Sequence, residues 1–234
     1  MKVYAISDLH LSTNCPKPMN IFGPVWDNYL QDIERSWKKV TKKDIVLIPG
    51  DISWAMRFEQ AIPDLEYIAH FKGTKVMIKG NHDYWWSGIS NMRANMPKSI
   101  YPLQNDCIKY ENVIICGSRG WACADDNGRF KSDEDEKIYK REVLRMGLSL
   151  DAMERTREEG DVVIVMCHYP PFNNKYQSNE LSKLFEEHKV NYVVYGHLHN
   201  YDKKQKLKFE KNGIKYFLTS CDLVKNRLIK ICEV

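Results

Sequence analysis

The sequence predicts an α/β domain. Short apolar runs rich in Val and Ile alternate with segments of helical spacing, the pattern of strands interleaved with helices. Five of those runs end in a residue that can titrate or bind a metal, and in open α/β folds ligands gather at the carboxyl ends of strands. With 234 residues, 43% of them hydrophobic, the chain can bury a substantial core. No composition shift, linker, low-complexity run or internal repeat divides it, which favours one domain over residues 1–234.

The five runs come in order. "KVYAIS" (2–7) ends in Asp8-Leu9-His10, and "DIVLIPG" (44–50) ends in Asp51. "KVMIKG" (75–80) leads into Asn81-His82-Asp83, "DVVIVMC" (161–167) into His168, and "VNYVVYG" (190–196) into His197-Leu198-His199. Helical spacing separates them. Trp26, Tyr29, Ile33 and Trp37 recur on one face of residues 26–40, and residues 58–71 and 181–188 read likewise. Residues 133–159 form one long charged helix or a helix pair. Further strands are expected at 107–117, with a turn at Glu111-Asn112, and in "KYFLTS" and "RLIKICE", so a second sheet packed on the first is plausible.

Charge and cysteine content narrow the class. The formal charge is +4, mildly basic and not in itself a nucleic-acid signature. In "YDKKQKLKFEKNGIKY", Lys204, Lys206 and Lys208 alternate with Gln205, Leu207 and Phe209 before an Asn212-Gly213 turn signal. This reads as a half-buried hairpin whose lysines guard a sheet edge, in preference to a nucleic-acid patch. Seven cysteines without a C-x-x-C spacing suit a reduced, cytoplasmic protein. The first ten residues read as a core strand rather than a signal peptide, and no apolar stretch approaches a membrane span.

Five of the seven histidines stand at the strand ends: His10, His82, His168, His197 and His199. The other two, His70 and His188, fall near helix ends, where an imidazole suits the helix dipole. Asp8 and His10, two apart, can point to one side. Asp8 offers a hard oxygen and His10 a borderline nitrogen, a mix suited to Mn, Fe or Zn. Asp51 follows a glycine that lets the chain turn sharply, and its two oxygens could bridge two cations. Asn81 adds a neutral amide oxygen. Two divalent ions against only two carboxylates leave the cluster positive, so it should attract an anion such as phosphate.

The series DLH, GD, GNHD, H, GHLH, spread in this order over residues 8–199, resembles the calcineurin-like metallophosphoesterases. The resemblance implies a four-layer αββα sandwich of two mixed sheets flanked by helices. It implies one metal on Asp8, His10, Asp51 and His199 and a second on Asp51, Asn81, His168 and His197. It also implies hydrolysis of a phosphate ester by a metal-activated hydroxide, with His82 on the leaving-group side as proton donor or charge stabiliser. Asp83 is then expected to orient the His82 ring. "GDISWAMRF" and "GNHDYWW" depart from the GDxVDRG and GNHE pattern of the protein Ser/Thr phosphatases, and the double-histidine GHLH looks more like the bacterial phosphodiesterase-type branch. The expected substrate is therefore a diester or a small phosphorylated metabolite. A phosphomonoesterase, a nuclease and a metal-binding scaffold are the alternatives.

Specificity should come from loops. Trp54, Trp85 and Trp86 follow the ligand motifs and either line a substrate pocket or pack beneath the metal loops. Residues 118–130 form a candidate lid, with Arg119 or Arg129 in reach of phosphate, and "YPPFNNKYQSNE" after His168 is a candidate rim. Ser7, beside Asp8, reads as structural rather than nucleophilic.

Overall fold

A computed structural model describes residues 1–200 and 205–234. The elements in chain order are β1 (Lys2–Ala5), α1 (Tyr29–Trp37), β2 (Ile45–Ile48), α2 (Phe58–His70), β3 (Thr74–Met77), α3 (Ile89–Asn95), β4 (Ile100–Pro102), β5 (Cys107–Tyr110), β6 (Val113–Gly117), α4 (Asp133–Thr156), β7 (Val162–Met166), α5 (Glu180–Glu187), β8 (Tyr192–Tyr195), β9 (Lys208–Lys211), β10 (Ile214–Leu218) and β11 (Ile229–Glu233). Two mixed sheets result. One runs β11-β1-β2-β3-β4, the other β5-β6-β7-β8-β10-β9. In the first, β1 to β4 are parallel and only β11 runs against them. In the second, β6, β7, β8 and β10 are parallel, flanked by antiparallel β5 and β9.

Side-chain alternation divides the core into three layers of contact. Val3, Ala5, Ile45, Leu47 and Val76 of the first sheet meet Val113, Ile115, Ile164, Met166 and Val194 of the second. The opposite faces bury Val46, Ile48 and Met77 against Ile33, Trp37, Leu65 and Ile68 of α1 and α2. On the far side, Val163, Val165 and Val193 pack against Met146, Leu150 and Phe185 of α4 and α5. Helix, sheet, sheet and helix therefore stack in four layers, as the resemblance implied. Strands buried on both faces explain the unbroken apolar runs of the sequence.

Residues 133–159 contain a single helix. Ser132 caps α4 by accepting the Asp135 N–H at 3.1 Å, and four acids occupy its first turn. The 26–40 pattern is shorter as a helix than its spacing suggests, because Trp26 belongs to a separate 3-10 turn, Pro24–Trp26. Neither α3 nor β4 was foreseen. In the lysine-rich hairpin, β9 is an edge strand and Asn212-Gly213 supplies the turn, both residues having positive φ. Lys206 and Lys208 are exposed there, and Lys204 lies outside the described residues. Among the described residues no helix is long and apolar enough to cross a membrane.

Candidate active site

The parallel strands β1, β2, β3, β7 and β8 all end on the same edge of the sandwich, and their following residues converge there. Asp8, His10, Asp51 and His197 take left-handed backbone angles (φ 58°, 47°, 52° and 71°), a conformation that non-glycine residues adopt at a cost of about 1 kcal/mol or more each. Their neighbours hold them in it. The Asp8 N–H donates to Gly50 O at 3.0 Å and the His10 N–H to Asp51 O at 3.1 Å. The His197 N–H is 3.1 Å from both oxygens of Asp8. Gly50 turns at φ 90°, and a Cβ on Gly80 would lie 2.1 Å from Asp51 Oδ1, so this loop needs glycine for the backbones to meet.

Two groups of donor atoms form. Asp8, His10 and His199 place potential ligand atoms within 4.8 Å of one another, and so do Asp8, Asp51 and His168. Asp51 lies between them: Oδ2 is 3.9 Å from His10 Nε2, and Oδ1 is 3.5 Å from His168 Nε2. Asn81 Oδ1 lies 2.7 Å from both His168 Nε2 and His197 Nδ1. All seven residues expected at a metal centre thus meet in one place, with Asp8 facing both groups.

The protonation states implied by these contacts suit cations. Burial holds His10 well below the usual imidazole range, with His199 adding to it. Burial likewise takes His168 and His197 down to about 3, so both rings are neutral. His168 Nδ1 faces Pro49 O at 2.9 Å, an acceptor, so the ring proton sits there and Nε2 carries a lone pair. That lone pair points at the Asn81 oxygen. His199 repeats the pattern: Nδ1 meets Asp222 Oδ1 at 3.1 Å, leaving Nε2 to face His10 Nε2 at 3.3 Å and Asp8 Oδ1 at 3.6 Å. For His199, burial is outweighed by the Asp222 bond and the Asp8 charge, and its affinity for a proton rises. The His168 Nε2 lone pair and the Asn81 oxygen, acceptor turned on acceptor, repel one another unless a cation lies between them. The mixed carboxylate, amide and imidazole donors fit divalent transition ions.

The carboxylates reflect the same crowding. Burial raises the Asp8 affinity for a proton, with Asp51 contributing in the same direction, and burial does the same to Asp51. Ser7 Oγ donates to Asp8 Oδ2 at 2.5 Å, a supporting role for a residue held just past β1 by a bridge to Ser220.

Around the centre the sequence expectations meet mixed outcomes. His82 stands beside it, its N–H donating to Asp51 Oδ1 at 2.8 Å and its ring centroid 5.8 Å from that of His10. Burial lowers its proton affinity, partly countered by Asp51. Asp83 does not orient the His82 ring. Its buried carboxylate instead accepts the N–H groups of Asp51, Ile52, Ser53 and Gly80 and the indole N–H of Trp85, tying together the loops after β2 and β3. Trp85 is a core residue, whereas Trp86, largely buried, reaches the wall of a second cavity together with Lys79 and Arg119. Trp85 is 1% exposed and Trp86 8%, with the Trp86 N–H bonded to Gln104.

Trp54 does reach the site. It stacks on His10 at 4.7 Å and lies 4.6 Å from His82, with Lys17 Nζ 3.2 Å over its ring. Trp26, at 6.1 Å from both His10 and His199, forms another wall. Arg119 is held by Glu142 and stacks on Trp121 at 4.7 Å. Arg129 is exposed beside Asp125 and lines the same cleft as His197. The 118–130 loop and the 169–174 rim together line a cleft of about 620 Å³ that includes His197 and Tyr169.

Asp222 was missed, although a signal for it existed. It follows β10, which is parallel to β8, and extending the strand-end rule to "KYFLTS" reaches it.

A family model for calcineurin-like phosphoesterases matches residues 1–201. No curated protein matches the sequence. Among solved structures, TT1561 of Thermus thermophilus is similar over 98% of this chain and 97% of its own, with 11% identity and a TM-score of 0.59. The phosphopantetheinyl hydrolase PptH from Mycobacterium tuberculosis is similar over 100% of this chain and 96% of its own, with 13% identity and a TM-score of 0.56. Those likenesses are of fold. With the strand-end motifs in order and most of its length matched, the chain belongs to the calcineurin-like phosphoesterase family, a family of metal-dependent phosphoesterases.

Proposed function

We propose that the chain, acting as one domain, hydrolyses phosphate esters with two divalent ions, of Mn, Fe or Zn type. One would be held by Asp8, His10, Asp51 and His199, the other by Asp51, Asn81, His168 and His197. The observation that carries this reading is the Asp51 carboxylate, which turns one oxygen toward His10 and the other toward His168. The ions would supply Lewis-acid stabilisation of the phosphoryl oxygens and an activated water.

The chain's own groups do the rest. Pro49 O and Asp222 fix the tautomers of His168 and His199 and so present their Nε2 atoms to the centre. Tyr169, 4.1 Å from His197 ring to ring, limits rotation of that imidazole. His82 assists the departing alcohol. Since its surroundings favour the neutral ring, it serves as an N–H donor that stabilises charge on the leaving oxygen. Trp54 and Trp26 exclude water from one side.

A phosphodiester or a small phosphorylated metabolite is the preferred substrate class. The absence of the GDxVDRG arginine supports it, as does a cleft beside His197 of a size that takes small molecules. The test compares bis-p-nitrophenyl phosphate with p-nitrophenyl phosphate in Mn²⁺. Faster turnover of the diester is expected. Preference for the monoester would make the chain a phosphomonoesterase, and no turnover with metals demonstrably bound would leave a scaffold.

A further inference from the structure

A second concave site lies at the carboxyl ends of β3, β4 and β6, where the two sheets meet α4. Its cavity measures about 300 Å³, at the small end of ligand pockets. Lys79, Arg119, Arg141 and Arg145 all line it, and the only carboxylate among the lining residues is Glu142. The formal excess is three positive charges. These cations come from three separate stretches of chain, so their convergence is a product of the fold and not of a local basic run. Like charges gathered in a concavity repel, and the same field concentrates anions.

Glu142 does not cancel the excess. It is 1% exposed, accepts the Ser118 hydroxyl at 2.8 Å, and meets Arg145 at 2.7 Å and Arg119 at 3.5 Å. Its effect is to orient two guanidinium groups along the pocket wall, a preorganisation that favours bidentate binding of an oxyanion. Lys79 and Arg141 have no ion-pair partner among the described residues. The pocket is also tied through the backbone to the loops that carry the donor cluster. Arg119 O accepts the N–H groups of His168 and Tyr169 at 2.9 and 3.1 Å, and Lys79 directly precedes Gly80-Asn81.

We propose that this pocket is an oxyanion site that takes a phosphoryl group other than the one at the Asp51 centre. That group belongs either to the substrate itself, as a second phosphoryl remote from the scissile bond, or to a free anion. The first source rests on the phosphoesterase reading, whereas the anion site itself does not.

Inorganic phosphate titrated calorimetrically into the Mn-loaded chain tests the site directly. Arg141→Gln, at an exposed and unpaired position, should weaken one phosphate-binding event by at least about tenfold. Arg145→Gln should do the same, and Arg155→Gln, on α4 outside the pocket lining, should leave binding unchanged. Kinetics then separate the sources. If the anion is the substrate's own, Arg141→Gln lowers kcat/KM for a sugar bisphosphate about tenfold more than for the corresponding monophosphate. If it is free, added phosphate or sulfate alters p-nitrophenyl phosphate hydrolysis in the parent chain and much less in Arg141→Gln. A chain that binds phosphate but hydrolyses no ester keeps the anion site and loses the phosphoesterase reading. Equal stoichiometry and affinity for phosphate in the parent, Arg141→Gln and Arg145→Gln would overturn the proposal.

Discussion

Asp222 meets the candidate metal centre through His199 Nδ1 and also accepts the Asn200 N–H at 3.1 Å, so its loss should be felt there. Asp222→Ala is expected to lower metal affinity about 10–100-fold while the fold persists, as read by metal titration and thermal melting. His82→Ala and His197→Ala should separate by role. The first keeps both metals and loses about 10²–10⁴ in turnover; the second loses a metal. Elemental analysis beside the kinetics distinguishes them, and a His82→Ala chain with an emptied site would refute the assignment. The pH response follows from Asp8. Burial raises its folded affinity for protons above the unfolded value, so its contribution to the metal-free fold is present in acid and fades as pH rises through about 7. A bound cation reverses that preference. The rise in Tm on adding Mn²⁺ to chelator-treated protein should therefore grow from pH 5 to pH 8. At this scale the candidate ligands were legible, because their chemistry and strand-end positions coincide. Packing of Trp85 beneath the loops was also among its expected roles, but the role of Asp83 was not legible. A carboxylate next to a histidine suggests a pair, and only the loop geometry reveals five N–H donors aimed elsewhere.

The elements divide by how much of their surface is buried. Strands β1, β2, β3, β7 and β8 announce themselves as unbroken apolar runs because both faces are covered. The edge strand β4 is three residues long and ends in Pro102, and α3 is a seven-residue helix following Gly88, so neither carries a periodic signal. Trp26 shares the helical spacing of α1, but a turn at Asp27-Asn28 separates the two. One buried cation ties an element junction together. Lys75, fully buried in β3, donates to Ala69 O and Phe71 O at the end of α2, to Gly73 O and to Ser99 Oγ. These carbonyls include helix-end acceptors that would otherwise lack donors. Lys75→Met should destabilise the fold by about 2–4 kcal/mol in denaturant unfolding, since an apolar replacement leaves several buried oxygens unpaired.

In the whole molecule, the stacking of two largely parallel sheets places eight candidate site residues, the seven donors and His82, on one edge although they span residues 8–199. Alternation of strands and helices implied the α/β class, and the further apolar runs a second packed sheet, but not the four-layer order. That came from the resemblance to a family, because periodicity identifies which face of a strand is buried and not which layer covers it. The cation-lined pocket was also beyond reading, since Lys79, Arg119, Arg141 and Arg145 share no sequence motif and meet only through the fold. Dinuclear hydrolysis requires Asp51 to serve two cations at once. The most direct measurement is metal content by mass spectrometry after Mn²⁺ loading and desalting, for the parent chain and for Asp51→Asn. Two ions per chain in the parent and fewer than one in Asp51→Asn are predicted. A parent chain that retains no more than one ion, or an Asp51→Asn chain that still retains two, would contradict it.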